Sequence, residues 1–254
     1  MIPSAFRRTM GCMDQLVLSL STPPRYSFES LVVHEGIQHA VMTIHSTYAT
    51  PKRPLPSLFL HGLPGTGKTH LLNALAELLR EVFREEGLRV EIVSVESLAA
   101  DAAFDELLAN PDGTADLCGV VVDNIHEAQG QTAAHIWNLS NKLTRSGAAL
   151  LMSSRKIPEE TFPNDPHMTS RITSGLVLEL QAPDDAVRVL IIDKMARDRS
   201  IRISRDVAHY LVTHKSRNIS DLSKIIGILD HASLRLKRRI TIPLIKSLEK
   251  DGEL

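Results

Sequence analysis

The segment Gly62-Leu63-Pro64-Gly65-Thr66-Gly67-Lys68-Thr69 satisfies the pattern G-x-x-x-x-G-K-[ST] in full. These residue types at this spacing suit one task, holding a chain of phosphates. Gly62, Gly65 and Gly67 let backbone N–H groups turn inward around phosphate oxygens, at the positive end of the helix that follows. Lys68 is expected to reach the β- and γ-phosphates, and the Thr69 hydroxyl to ligate Mg²⁺. Thr66 and His70 complete the stretch as nucleotide-binding positions. The alternative is a plain glycine-rich turn before a helix. The apolar strand Leu58–Leu60 on one side and the helical pattern Leu71–Arg80 on the other argue against it. The expected ligand is a nucleoside triphosphate or diphosphate with Mg²⁺.

Such a loop needs a second Mg²⁺ partner at the end of a neighbouring buried strand. The run Gly119-Val120-Val121-Val122-Asp123 offers Asp123, which as a lone feature would read as a helix cap. The next residue, Asn124, stands where many ATPases carry a carboxylate that takes a proton from the attacking water. An amide can orient water but cannot accept its proton, so slow intrinsic hydrolysis is predicted. Glu127 can compensate or can be a solvated charge at a helix start. Ser153 and Ser154 follow the apolar run Ala149–Met152, where a polar side chain reaches the nucleotide or simply serves a turn.

Positioning these groups requires a particular scaffold. Short apolar runs at Leu58–Leu60, Val90–Val93, Gly119–Val122, Ala149–Met152 and Leu176–Leu180 alternate with segments of helical period. Strands alternating with helices imply an α/β fold, a parallel sheet covered by helices on both sides. After Pro183 the strands stop. Val187, Leu190, Ile191 and Met195 share one helical face, as do Leu222, Ile225, Ile226, Leu229 and Leu236. Ser204 and Thr241 read as N-caps, with Pro243 tolerable in a first turn. The predicted organisation is a flexible tail over 1–24, an α/β nucleotide-binding domain over 25–181 and a small helical lid over 182–254.

The bulk composition sets limits. With 29 Lys and Arg against 30 Asp and Glu, the net charge of -1 argues against a protein whose main task is coating nucleic acid. Arg235, Lys237, Arg238 and Arg239 form a local basic cluster that complements a helix end or touches DNA phosphates. Two cysteines, Cys12 and Cys118, give no disulfide framework and no metal-ligand spacing, and eleven histidines show no paired spacing. No apolar run is long enough to span a membrane, and the first residues make a poor secretory signal, so a cytoplasmic protein is expected. Met10 or Met13 can be the true start.

The order of phosphate loop, strand-end aspartate, polar strand end and helical lid resembles an AAA+ ATPase, which implies ATP or ADP with Mg²⁺ as the ligand. Within that superfamily, Tyr26-Ser27-Phe28-Glu29-Ser30-Leu31-Val32-Val33 is similar to the segment of the bacterial replication initiator DnaA that lines its adenine pocket. The resemblance implies nucleotide contacts at Tyr26, Val32 and Val33. Thr169-Ser170-Arg171-Ile172-Thr173-Ser174-Gly175-Leu176 resembles the initiator's arginine-finger box, with Arg171 on the finger position. Ile219-Ser220-Asp221-Leu222 is similar to the start of the lid helix that carries a second nucleotide sensor. A lid at the end of the sequence carries the expectation of a protein without the initiator's helix-turn-helix domain. The last helix of this sequence, from Thr241-Ile242-Pro243-Leu244, and its N-terminal Gln15-Leu16-Val17-Leu18-Ser19-Leu20 are similar to the two ends of Hda, as is the pair Asp123-Asn124. On these residues the chain is identified as a member of the DnaA/Hda branch, most like Hda.

That resemblance implies a negative regulator of replication initiation in the bacterial cytoplasm, associated with the nucleoid through the clamp. Gln15, Leu16, Leu18 and Leu20 would dock on the β sliding clamp, and Arg171 would act in trans on ATP held by the initiator DnaA. DNA would be met indirectly through the clamp, and a homo-oligomer is compatible. The alternatives are a non-catalytic clamp-binding adaptor and a DNA-acting ATPase resembling helicase loaders. Three departures from the family pattern bear on the chemistry. Ser220 stands in place of the lid arginine, with Arg217 three residues earlier as a substitute or a solvated charge. Arg155 stands where relatives have an acidic residue, and Asn124 lacks a basic oxygen. They suit a protein that holds nucleotide, ADP included, as a switching ligand.

Overall fold

Side chains alternate across a strand, so a strand apolar at every position must be covered on both faces. A computed structural model, which describes residues 26–50, 52–95, 113–128 and 131–254, has this arrangement. Five strands, β1 (Leu58–His61), β2 (Arg89–Ser94), β3 (Leu117–Asp123), β4 (Ala149–Ser154) and β5 (Leu176–Glu179), form one sheet in the order β2-β3-β4-β1-β5. Every pairing is parallel.

One face carries Leu58, Leu60, Val121 and Leu151, packed against α1 (Glu35–Tyr48) and α2 (Lys68–Val82) through Ile44, Tyr48, Leu71, Leu75 and Leu79. The other face carries Phe59, Val120, Val122, Leu150 and Met152. It is covered by Ile136, Leu139 and Leu143 of α3 (Gln131–Ser146). After the one-turn α4 (Pro158–Thr161), Met168 and Ile172 of α5 (Pro166–Thr173) close that layer. The α/β architecture expected from the alternation is thus the one observed.

Beyond Pro183, helices α6 (Asp185–Asp198), α7 (Arg205–His214), α8 (Ile219–Leu236) and α9 (Ile242–Lys250) enclose a separate apolar cluster built on Ile192, Leu211, Leu222, Ile226, Leu229 and Ile245. Each starts on a side-chain cap: Asp184, Ser204, Asn218 and Thr241 accept from a backbone N–H of the first turn. The two caps predicted from sequence, Ser204 and Thr241, stand where expected. The predicted face of α6 does so only in part. The bundle buries Val189, Ile192 and Ala196 and packs Met195 against its core at the cleft, while Leu190 is 57% exposed and Ile191 looks into the cleft beside the sheet. This helix has two apolar sides, and only one belongs to its core. Leu236, at the end of α8, is likewise exposed rather than buried.

Candidate functional site

β1 pairs with β4 and β5, matching His61 to Ser154 and Glu179, so the chain leaves the sheet at its carboxyl edge. Ligands of open parallel sheets bind at that edge. The loop turns there on three glycines of positive φ: Gly62 (143°), Gly65 (79°) and Gly67 (94°). A Cβ at Gly62 would stand 2.2 Å from the Leu180 carbonyl oxygen, so glycine is required for close approach. At Gly67 a Cβ would meet nothing within 4 Å, so there the demand is conformational. Gly67 is also the N-cap of α2, and no side chain accepts from the first-turn N–H groups. Uncapped donors at a helix start are an anion-binding arrangement.

Lys68 is buried, 6% exposed. Its Nζ donates to the carbonyls of Gly62 (2.7 Å) and Leu63 (2.9 Å) and to Thr66 Oγ1 (3.3 Å). Burial pulls its pKa below the ordinary lysine value, Asp123 offsets part of that pull, and Arg155 adds to it. The Thr69 hydroxyl donates to Asp123 Oδ2 at 2.6 Å, bringing together the two groups expected to share Mg²⁺. A hydroxyl beside a carboxylate at the mouth of a phosphate loop fits a hard divalent cation.

Ser153 and Ser154 prove to have different tasks. Both are buried inside β4. Ser153 Oγ bonds Asp123 Oδ1 and accepts from Asn124 N at 3.0 Å, fixing the end of β3. Ser154 Oγ bonds Thr161 Oγ1 at 2.8 Å and accepts from Lys156 N at 3.0 Å, which is turn chemistry. Asn124 sits at φ 57°, a left-handed position that asparagine tolerates. Glu127 lies on the short 3-10 turn Ile125–Glu127, half exposed, with Arg155 Nη2 at 3.8 Å.

The facing wall comes from the segment before α1. His70 Nε2 lies 3.0 Å from the Ser27 carbonyl oxygen and 3.1 Å from Ser30 Oγ, tying that segment to α2. Tyr26 meets the His70 ring edge-on at a centroid distance of 5.2 Å. Tyr26 and Val32 line the cleft. Val33 is 47% exposed and is not part of the lining, because in extended chain neighbours point to opposite sides. The helical bundle supplies the third wall through Asn218, Ile219 and Ser220 of the α8 start, with Ile191 and Met195 of α6. The enclosed volume of about 880 Å³ suits a ligand of nucleotide size.

Sequence reasoning missed Ser27, Ser30 and Asn218 as parts of the site. Asn218 was detectable as a cap residue directly before an apolar helical period. Arg217 is outside the lining, 70% exposed and paired with Asp185 at 2.9 Å. Arg171 is also outside the cleft: Nη1 donates to Thr144 Oγ1 at 3.2 Å and the guanidinium lies 5.1 Å above the Trp137 ring. Gln15, Leu16, Leu18 and Leu20 fall outside the described residues. Among the described residues no helix is long and apolar enough to cross a membrane.

Comparison with known proteins agrees with this geometry. The model of the bacterial DnaA ATPase domain matches residues 22–179, and that of the Hda lid domain matches residues 185–248. The chromosomal replication initiator protein DnaA of Leifsonia xyli subsp. xyli is 26% identical over 250 residues, 91% of this chain and 52% of the relative. That of Crocosphaera subtropica is 30% identical over 207 residues, 78% of this chain and 45% of the relative. The chain thus spans about half the length of these curated relatives. Domain III of the Thermotoga maritima replication initiation protein DnaA superposes with a TM-score of 0.76 at 22% identity, covering 90% of this chain and 97% of that one. AMPPCP-bound DnaA from Aquifex aeolicus gives 0.65 at 21% identity, covering 90% and 70%. The Thermotoga maritima RuvB branch migration motor, at 0.66 and 16% identity over 89% and 72%, shares the fold. With the DnaA model spanning more than half of its residues, the chain belongs to the bacterial DnaA ATPase-domain family, and the helical bundle that follows is a lid of the kind found in Hda.

Proposed function

We propose that this chain is a nucleotide-held regulator of replication initiation that docks on the sliding clamp through Gln15–Leu20 and presents Arg171 to ATP bound by the initiator. The bound nucleotide, ATP or ADP with Mg²⁺, would supply a chain of negative charges. Around it Lys68, the N–H groups of the loop, Thr69 and Asp123 organise the sheet edge, while Tyr26, Val32, His70 and Ser220 close the other sides. Asn124 holds no basic oxygen toward that cleft, which favours retention over turnover.

The observation that carries the reading is the position of Arg171. It belongs to the same chain as a formed phosphate loop yet lies outside the cleft, on the face of α3 and α5. A guanidinium there cannot serve its own nucleotide but can serve a neighbour's. An arginine delivered across an interface stabilises charge on the transferring phosphoryl group, with accelerations of about 10³ to 10⁵.

Reconstitution with initiator, clamp-loaded DNA and this protein tests it, reading conversion of initiator-bound ATP to ADP. Arg171→Ala is expected to abolish the conversion while nucleotide affinity stays within about twofold of wild type. No loss of initiator-bound ATP with the wild-type protein sinks the reading. Because the arginine is engaged by Thr144 and Trp137 within its own chain, an adaptor role is the second reading, and it gains support if Arg171→Ala retains full regulation.

A further inference from the structure

The basic run at the end of α8 has no task in the nucleotide cleft, since none of Arg235, Lys237, Arg238 and Arg239 lines it. Cations at such a place ordinarily complement the carbonyl end of the helix. Here that task is already filled. Arg235, in the last turn of α8, is paired with Glu253 at 2.5 Å. The carbonyls of Ser233 and Leu234 accept from the backbone N–H groups of Arg238 (3.2 Å) and Lys237 (3.4 Å). Lys237, Arg238 and Arg239 are left over, all three exposed and none in an ion pair with any described residue. The acids of α9 and the residues after it are engaged elsewhere: Glu249 with Lys215, Asp251 with Ser247 and Glu253 with Arg235.

The turn that carries the three cations is fixed at both ends. Ser233 Oγ donates to the Arg238 carbonyl at 2.6 Å, Ile240 is buried in the lid core, and Thr241 caps α9. Lys237 stands at φ 51° and ψ 40°, the left-handed position that glycine fills without steric cost. The fold thus carries a charged side chain where a neutral glycine would serve the turn better. Like charges on consecutive residues also repel one another, and bound anions relieve that repulsion. Arg239 lies two residues before the cap of α9, so the positive end of that helix adds to the same field.

The occupant must supply several closely spaced negative charges and require no apolar contact. Leu234 and Leu236 are exposed beside the cations, but two residues apart on a helix they point to different sides. Leu244, Ile245 and Leu248 of α9 are spent on the lid core, so no apolar face of that helix is left to enter a lipid surface. Duplex DNA presents one phosphate charge per about 1.7 Å of its axis and needs no pocket. We infer that Lys237, Arg238 and Arg239 form a contact for the phosphate backbone of duplex DNA, made by the lid itself and independent of base sequence. The choice of DNA among polyanions rests on the replication reading above, but the contact needs neither the clamp nor Arg171. With a net charge of -1 over the whole chain, it is an auxiliary grip rather than the main one.

Fluorescence anisotropy of the full chain with a labelled duplex of about 30 base pairs, at about 50 to about 200 mM salt, tests it. For the wild type, log K is expected to fall by about 2.7 per decade of salt, the signature of three phosphate contacts. Lys237→Gln, Arg238→Gln and Arg239→Gln should each lower that slope by about 0.9, whatever the base sequence. The triple variant should bring it close to zero while leaving the thermal midpoint unchanged. No duplex binding by the wild type at the lowest salt, or equal slopes in wild type and variants, overturns the inference and leaves clamp docking and Arg171 untouched. So does charge-dependent binding to phosphatidylglycerol vesicles with none to the duplex.

Discussion

At the scale of the residue, one of the cleft's departures from an active hydrolase comes down to a single atom of Asn124. Asp123 is held by Thr69 and Ser153, and Asn124 follows it with its N–H committed to Ser153 Oγ and to Asp123 Oδ1 at 3.1 Å. The strand end that would position a general base is therefore held in place, and the base itself is lacking. Asn124→Asp changes an amide nitrogen to an oxygen at a left-handed position that aspartate also tolerates. Intrinsic ATP hydrolysis by the isolated chain is expected to rise on the order of 10²-fold, the lower range for a positioned proton acceptor. A turnover assay showing no rise would mean that something besides the missing carboxylate suppresses hydrolysis.

The phosphate loop and Asp123 were legible in sequence because their chemistry demands adjacent residues in fixed order. Ser27 and Ser30 were not. Their contact with His70 is 40 or more residues away along the chain, and nothing in a serine's neighbourhood announces such a partner.

At the scale of the element, local chemistry and packing were legible to different degrees. Helix starts are decided within four residues, so Ser204 and Thr241 declare themselves. A helix's buried side is decided by what lies across from it, and α6 has apolar residues toward both the lid core and the cleft. Periodicity registers both without saying which is which. The cap at Thr241 offers a direct measurement. Thr241 Oγ1 accepts from Leu244 N, and α9 closes the lid cluster through Leu244, Ile245 and Leu248. Thr241→Ala should cost about 1 kcal/mol and lower the thermal midpoint by roughly 2–4 °C in a chain of this size. Scanning calorimetry decides it, and an unchanged midpoint would show that the lid does not limit global unfolding.

At the scale of the whole molecule, several histidines act in the same direction. His34, His61, His70 and His126 all have pKa values lowered first by burial, which disfavours the imidazolium. Their folded-state pKa values lie below the reference of 6.5, so the unfolded chain takes up protons first as pH falls. The stabilisation they contribute is complete above about pH 6.5 and is lost as pH drops from there through their depressed values. Denaturant midpoints are expected to fall between pH 7 and pH 5. His70→Gln, which removes the titration at the junction of Ser27, Ser30 and α2, should make that fall shallower. A slope identical to wild type would show that His70 does not contribute and would leave the acid sensitivity to His34, His61, His126 or the carboxylates. The fold class was legible at this scale because alternation of strands and helices admits few arrangements. The joining of lid and sheet around one cleft was not, since it depends on how elements distant in the sequence, the start of α8 and the segment before α1, face each other.

Trp137 is the single tryptophan of the sequence, and Arg171 lies over its ring. Indole emission responds to charge on its face. The chain therefore carries an unlabelled optical reporter at the one place where the proposed partner would draw the guanidinium away. Engagement of that arginine by another protein would register as a change in intensity and wavelength, with no other indole in this chain to obscure it.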